Sequence, residues 1–121
     1  MRSIALSIAC DIHPLNNTRV LKHLEYEMGA DTTARMHWYH HWVTTGLAAL
    51  EVELASSPLT GEFCQGDAPT IANCCLVPQV YNARRFNVSL AQYPTVSRVN
   101  DRCLQLSEFV AASPEHQADA A

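Results

Sequence analysis

Apolar side chains recur every three or four residues along most of this chain, a spacing typical of amphipathic α-helices. The clearest examples are the stripe Val20, Leu24, Met28 and a longer one that runs from Trp38 to Leu54. No stretch of strand length alternates apolar and polar residues, and no internal repeat occurs. The pattern therefore predicts an all-α fold, a helical bundle of about five to six helices.

Prolines, glycines and capping residues divide the chain into predicted helices. A first run over residues 3–11 has no capping residue at its start, as in a truncated helix, and we expect His13-Pro14 to stop it. A second helix should begin at Pro14 and end near Gly29, and either Asp31 or Thr32 should cap a third that extends to about residue 55. Residues 56–69 contain two prolines and two glycines, which predicts a loop.

The segment after this loop predicts the central helix of the bundle. Thr70 is placed to cap it, and Asn73 lies three residues later, as in a capping box. The following residues are apolar on nearly every side, which is typical of a helix surrounded by others, and Pro78 should bend it or open its first turns. Pro94 should open the last helix, whose inward residues we expect to be Val96, Val99, Cys103 and Leu106. Residues 1–112 then form the helical domain and residues 113–121 a loose tail.

Composition narrows the classes of function. A chain of 121 residues with 48% apolar and 17% charged residues suits one globular domain. Its net charge of -4 leaves no basic surface for a nucleic acid, and no apolar run is long enough for a bilayer span or a signal peptide. The five cysteines include no CxxC pair, which favours reduced and mostly buried thiols in a cytoplasmic protein over a reactive cysteine.

Three histidines form the sharpest candidate for a metal site. His37, His40 and His41 have i, i+3, i+4 spacing, at which two imidazoles on one helix can share a metal. No glutamate completes an HExxH motif and no third ligand is evident. A solvated polar helix face is the favoured interpretation, and we predict no metal.

A second group of residues favours an anionic ligand. His13, Asn16, Asn17 and Arg19 lie at a predicted helix start, where free N–H groups and the helix dipole attract anions. The pair at residues 84–85 consists of two arginines, and a guanidinium can hold a carboxylate through two hydrogen bonds. Solvated surface arginines are the alternative.

Five strings in the sequence resemble the C-terminal domain of zeta-class glutathione transferases, the maleylacetoacetate isomerase family. They are IACDIHPLNN at residues 8–17, FCQGDAPT at 63–70, LVPQVYNARRF at 76–86, YPT at 93–95 and PEHQ at 114–117. The strings occur in the family's order and extend over almost the whole chain. The resemblance implies a helical domain that follows a thioredoxin-like domain, with glutathione in the cleft between them. Nothing in this sequence matches the thioredoxin-like domain.

The resemblance also implies roles for individual residues. The positions that match glutathione contacts are His13, Asn17, Thr18 and Arg19. Arg85 matches an arginine that holds a substrate carboxylate, and Arg84 is its neighbour. The Ser-Ser-Cys type motif that ionises the glutathione thiol has no match here. The resemblance therefore implies no catalytic residue in this chain, which we expect to be inactive alone.

In that family the glutathione thiolate adds to the double bond of maleylacetoacetate, the new single bond rotates, and elimination gives fumarylacetoacetate, a step of tyrosine and phenylalanine catabolism. The expected ligands are glutathione and a small dicarboxylate keto-acid, and the expected protein partner is a thioredoxin-like domain or a second copy. Two alternatives stay open: half of a maleylpyruvate isomerase, or a non-enzymatic helical interaction module.

The sequence departs from the family at the start of the central helix. Glutathione transferases usually have Asp where this chain has Asn73. Because Asn brings no negative charge to the helix N-terminus, we predict capping weaker by roughly 0.5–1 kcal/mol. Thr70 and Asn73 are thus assigned a structural role.

Overall fold

The computed structural model describes residues 1–120, and within them the chain consists of helices and loops without a β-strand. The helical elements in chain order are α1 (Arg2–Leu6), a π-helical segment (Ser7–Ile12), α2 (His13–Asn16), α3 (Thr18–Tyr26), α4 (Thr32–Ser56), α5 (Ile71–Arg85), α6 (Pro94–Cys103), α7 (Ser107–Ala111) and a 3-10 turn (Pro114–His116). The predicted all-α fold is confirmed.

The first helical stretch does not stop at Pro14, and that prediction is wrong. α1, the π-helical segment and α2 follow one another without interruption. At the end of the π-helical segment the His13 N–H donates to the carbonyl of Ile8, five residues back. A proline ring ordinarily collides with the carbonyl four residues before it, and the wider π turn relieves that collision. The break comes instead at Asn17, whose extended backbone (φ −74°, ψ 161°) separates α2 from α3.

The core lies between α4, α5, α6 and the π-helical segment. The buried residues of α4 recur at helical spacing and are Tyr39, Val43, Leu47, Leu50 and Leu54. α5 contacts α1, the π-helical segment and α6, which confirms its central position. It continues through Pro78 as one helix. Ile71 and Cys74 are exposed, so other elements do not surround this helix on every side.

α4 comes unusually close to the π-helical segment at Gly46. A Cβ atom at Gly46 would lie 2.5 Å from Ile12 Cγ1 and 2.6 Å from Ile12 Cδ1, closer than real carbon atoms approach. The absence of a side chain at this position therefore lets Ile12 rest directly on the α4 backbone. This contact fixes the π-helical segment, and with it the start of α2, against the longest helix.

Both α4 and α5 begin at a predicted N-cap, and of the two candidates for α4 it is Asp31 and not Thr32 that caps it. Asp31 Oδ1 accepts a hydrogen bond from the Ala34 N–H at 2.8 Å and starts α4. Thr70 and Asn73 form the capping box of α5, in which Asn73 Oδ1 accepts from the Thr70 N–H at 3.0 Å and from the Thr70 hydroxyl at 3.2 Å. The structural role assigned to these two residues agrees with the geometry.

A carboxylate from α4 holds the start of α6, which nothing in the sequence pattern indicated. Glu51 Oε1 accepts from the Thr95 N–H at 3.0 Å, and Glu51 Oε2 accepts from the Val96 N–H at 2.9 Å. The first N–H groups of a helix have no partner within it, so Glu51 satisfies two of them from another element. Within α6, Val96, Val99 and Cys103 are buried as predicted.

The C-terminal region contains local structure beyond α6. The helix ends at Cys103, and the half-buried Leu106 lies after it rather than within it. α7 and the 3-10 turn follow, and the Tyr81 hydroxyl of α5 donates to Glu115 Oε1 at 2.8 Å. No helix within residues 1–120 is both long and apolar enough to span a bilayer.

Candidate functional site

A cleft of about 490 Å³ opens where the α2–α3 junction meets α4 and the C-terminal end of α5. Its lining residues come from these four elements and are His13, Asn16, Asn17, Thr18, Arg19, Leu21, Tyr39, Asn82, Arg85 and Phe86. All four residues that the resemblance assigned to glutathione are among them, together with Arg85. Residues far apart in the sequence thus meet at one place, which the sequence pattern alone did not predict.

The α2–α3 junction positions one side of the cleft. Asn17 is the N-cap of α3, where its Oδ1 accepts from the Val20 N–H at 3.3 Å. Thr18 and Arg19 follow in the first helical turn, and the N–H groups of these two residues have no partner within the helix. The helix dipole adds partial positive charge here. This wall of the cleft is therefore suited to oxygen atoms that carry negative charge.

The cleft is basic although the chain is acidic. His13, Arg19 and Arg85 line it, and no aspartate or glutamate is among the lining residues within the described part of the chain. The whole chain carries a net charge of -4. Since the acidic residues lie elsewhere, the local charge of the cleft favours an anionic ligand.

Aromatic packing and a hydrogen bond hold the C-terminal end of α5 against α4. The rings of Tyr39 and Phe86 lie 4.2 Å apart between centroids. His40 Nε2 lies 2.6 Å from the Phe86 carbonyl oxygen, which can only accept, so this nitrogen donates. These contacts fix the backbone next to Arg85. His40 therefore has a structural partner in the Phe86 carbonyl.

The three histidines on α4 do not form a shared cluster with other ligands. His37 and His41 are exposed, and His41 lies edge-on to Trp42. Within residues 1–120, no group of three or more His, Cys, Asp or Glu side chains is placed to hold a metal ion.

Two polar groups in the wall of the cleft are buried without a hydrogen-bond partner. They are the hydroxyl of Tyr39 and the Nδ2 amide nitrogen of Asn16. Burial raises the pKa of Tyr39 to about 12, and the nearby Arg85 charge opposes this shift only in part. The hydroxyl is consequently a neutral donor at physiological pH.

Sequence reasoning missed Tyr39, Asn82 and Phe86 as residues of the cleft. Tyr39 lies on the buried stripe of α4, four residues before Val43, so its spacing is that of a core residue. The one sequence signal for a role in the cleft was the hydroxyl of Tyr39, a polar group at the end of the apolar stripe. Asn82 lies on α5, one turn before the C-cap residue Phe86, and neither residue stands out by pattern.

Arg84 does not line this cleft. It points to a second groove of about 520 Å³ between α5 and the C-terminal region, and its Nη2 lies 3.3 Å from Asp101 Oδ1. Arg84 thus borders only the second groove, whereas Arg85 lies between the two cavities and borders both. A role of Arg84 in substrate binding stays a prediction.

Known proteins match the chain over nearly its whole length. It is 41% identical over 120 residues to a probable maleylacetoacetate isomerase of Vibrio cholerae, a match that includes 99% of this chain and 55% of the relative. It is 44% identical over 121 residues to a maleylpyruvate isomerase of a Ralstonia species, which includes 100% of this chain and 57% of the relative. The chain thus spans a little over half the length of these relatives. No family model matches it.

Solved structures of homologues share the fold. The holo structure of a maleylpyruvate isomerase, a bacterial zeta-class glutathione transferase, superposes with a TM-score of 0.96 at 44% identity over 99% of this chain and 57% of that one. A maleylacetoacetate isomerase from Methylobacterium extorquens AM1 with bound malonate and glutathione gives a TM-score of 0.94 at 36% identity over 99% and 56%. This chain is therefore a homologue of the maleylacetoacetate and maleylpyruvate isomerases, the zeta-class glutathione transferases, and it has the helical fold of the glutathione transferase C-terminal domain.

Proposed function

We propose that this chain forms the substrate-binding wall of a glutathione-dependent isomerase that converts a maleyl keto-acid to its trans isomer. One observation carries the proposal: His13, Asn17, Thr18, Arg19 and Arg85 surround a single basic cleft. The ligands in the homologue from Methylobacterium extorquens are a dicarboxylate and glutathione. The chemistry of this cleft suits the same two classes of ligand.

The lining residues fit glutathione and a dicarboxylate on chemical grounds. Both ligands carry carboxylates, and the cleft offers two guanidinium groups, an imidazole and the first turn of α3. Bound glutathione would supply a thiolate that adds reversibly to the carbon–carbon double bond. No cysteine or serine is among the described lining residues, so we assign thiol activation to a group outside this cleft wall.

The contribution of this chain is then binding and orientation. Arg85 is the residue that we expect to hold a substrate carboxylate, through two parallel hydrogen bonds from its guanidinium group. The contact between Phe86 and Tyr39 fixes the backbone next to Arg85. Fixing the double bond next to the thiolate lowers the entropic part of the barrier, which can amount to several kcal/mol, on the order of 7–11.

Maleylacetoacetate and maleylpyruvate are both candidate substrates, since both kinds of isomerase are among the relatives. The proposed protein partner is a thioredoxin-like domain that activates glutathione, and a second copy of the chain is a further candidate. We place the protein in the cytosol because its five cysteines are all free, as expected in a reducing compartment.

The test combines binding and turnover. The purified chain is titrated with maleate, the simplest ligand with the cis dicarboxylate group, and chemical shifts of its amide groups are followed by NMR. We expect weak binding, of millimolar order, with shifts at the α2–α3 junction and at Arg85. Arg85→Ala should abolish these shifts, whereas Arg98→Ala, an arginine that bonds the Gly61 carbonyl outside the cleft, should not.

In parallel, maleylacetoacetate and maleylpyruvate are offered to the chain with reduced glutathione. We expect no turnover by the chain alone, and turnover once a thioredoxin-like domain of a relative is added or fused. Full activity of the chain by itself would contradict the proposed division of labour. Failure of maleate to bind would contradict the assignment of the cleft.

A further inference from the structure

Two hydrogen-bond donors at the cleft are held in place without acceptors. Tyr39 is 1% exposed and Asn16 is 5% exposed, and neither the Tyr39 hydroxyl nor Asn16 Nδ2 has a partner. Folded proteins pair the large majority of their buried polar groups, because an unpaired group loses its bonds to water and gains nothing in return. Two such groups in one wall of one cleft call for a physical reason.

Their position separates them from the other unpaired atoms. Single atoms of Arg35, Thr60 and Gln65, and both side-chain polar atoms of Gln79, also have no partner among the described residues, but none of these residues lines the cleft. Tyr39 and Asn16 line it together with Arg85. An unpaired donor beside a ligand cavity is available to an acceptor atom of a ligand, which would recover the hydrogen bond lost on burial.

The chemistry of the two groups identifies the kind of ligand atom that they suit. An amide nitrogen only donates, and the Tyr39 hydroxyl stays protonated because burial raises its pKa to about 12. Both groups therefore require acceptors, such as the oxygens of a carboxylate or a ketone. Tyr39 is also rigid, because its ring packs against Phe86.

We propose that the Tyr39 hydroxyl and the Asn16 amide are ligand-binding groups, which donate hydrogen bonds to carboxylate or keto oxygens of the ligand that Arg85 holds. This inference rests on the proposed function, since it presupposes a dicarboxylate or keto-acid in the cleft. It adds two donors of different elements, α2 and α4, to the charged groups. The pair would select ligands with an oxygen at the inner end over ligands that end in an apolar group.

The first test is the stability of the ligand-free chain. Tyr39→Phe removes an unpaired hydroxyl, so we expect its thermal midpoint to rise by about 3–5 °C. Tyr93→Phe is the matched control, because the Tyr93 hydroxyl donates to the Thr44 carbonyl at 3.3 Å and its removal should lower the midpoint. A fall or no change for Tyr39→Phe would show that the hydroxyl is already satisfied, for example by an internal water, and would overturn the proposal.

The second test is ligand affinity, with maleate as the probe. Tyr39→Phe and Asn16→Ala should each weaken maleate binding by about tenfold, the effect of losing one hydrogen bond to a charged group. Tyr93→Phe, whose hydroxyl bonds the Thr44 carbonyl and lines neither cavity, should bind maleate like the parent chain.

The outcomes are distinguishable. If the parent chain binds maleate and Tyr39→Phe binds it equally well, the two donors are not ligand-binding groups, while the proposed function stands. If the parent chain does not bind maleate, the proposed dicarboxylate site is wrong and this inference falls with it. Support requires both the gain in stability and the loss of affinity for Tyr39→Phe.

Discussion

Asn73 connects three parts of the molecule through one buried side chain. Its Oδ1 accepts from the Thr70 backbone and hydroxyl, while its Nδ2 donates to Cys103 Sγ at 3.3 Å on α6. The residue is completely buried. The same amide therefore caps α5 and links α5 to α6, a second role that the capping pattern in the sequence could not indicate.

Replacing Asn73 with Asp tests the value of a charge at this helix start. The carboxylate would still accept from Thr70, would favour the helix dipole, and could accept from the Cys103 thiol. We expect the free energy of unfolding at neutral pH to rise by roughly 0.5–1 kcal/mol, measured by urea denaturation. Asn73→Ala should lower it by about 1–2 kcal/mol. A less stable Asp variant would mean that burial of the charge outweighs the dipole.

The cysteines differ in exposure more than expected. Only Cys64 and Cys103 are buried, whereas Cys10 and Cys74 are exposed, so the prediction of mostly buried thiols is wrong. Cys10 lies in the π-helical segment and Cys74 on the outer face of α5, and the sequence period did not assign these faces correctly.

Thiol reactivity should follow this exposure. Burial raises the pKa of Cys64 to about 12, and burial likewise raises the pKa of Cys103. Because a raised pKa keeps a thiol protonated, and only the thiolate reacts, both residues should resist alkylation in the folded chain at pH 8. Iodoacetamide labelling with peptide mass mapping should modify Cys10 and Cys74 first. Equally fast labelling of Cys64 would indicate that the core opens locally.

At the scale of elements, the fold depends on contacts between residues distant in sequence. Glu51 and the start of α6 are separated by more than 40 residues, yet the carboxylate supplies the capping that the sequence of α6 lacks. Tyr93, the N-cap residue of α6, makes no side-chain cap hydrogen bond. One side chain thus couples the formation of α6 to the presence of α4.

Substitution of Glu51 measures that coupling. Glu51→Ala should lower the free energy of unfolding by about 1–3 kcal/mol, because two helix N–H groups lose their acceptor. Glu53→Ala on the same helix is the control, since Glu53 bonds only the exposed Ser3 hydroxyl and its loss should cost less than about 0.5 kcal/mol. Equal effects in chemical denaturation would argue against a special role for Glu51.

For the molecule as a whole, patterns within the sequence predicted the all-α fold, the caps at Asp31 and Thr70, and the central helix α5. These features depend on residues close together in the sequence and on the spacing of apolar side chains, so they can be predicted from the sequence alone. The continuation of the first helical stretch through Pro14 was not predicted, because it depends on a π turn. Only the resemblance implied that the residues of the cleft meet at one site. Tyr39 was not recognised, because a tyrosine that lines a cleft and an aromatic residue of the core have the same spacing along α4.

The charge distribution of the whole chain leads to a further prediction. A basic cleft in a chain of net charge -4 attracts an anion locally while the remaining surface repels it. Maleate affinity should therefore fall by about three- to tenfold as ionic strength rises from about 0.01 M to about 0.15 M, over which the screening length shortens from about 30 Å to about 8 Å. Titrations at several salt concentrations measure this slope. Affinity independent of salt would point to binding outside the basic cleft.

The π-helical segment determines the direction in which the side chains after it point in the first helical stretch. A π turn accommodates one residue more than an α turn, so side chains after it are rotated by about 100° relative to a regular helix. His13 and Asn16 reach the cleft with this rotation in place. A chain with one residue fewer in this segment could keep every side chain of the site and still turn His13 and Asn16 away from Arg85. The residue types determine the chemistry of the site, but the number of residues in the π-helical segment determines whether their side chains face the cleft.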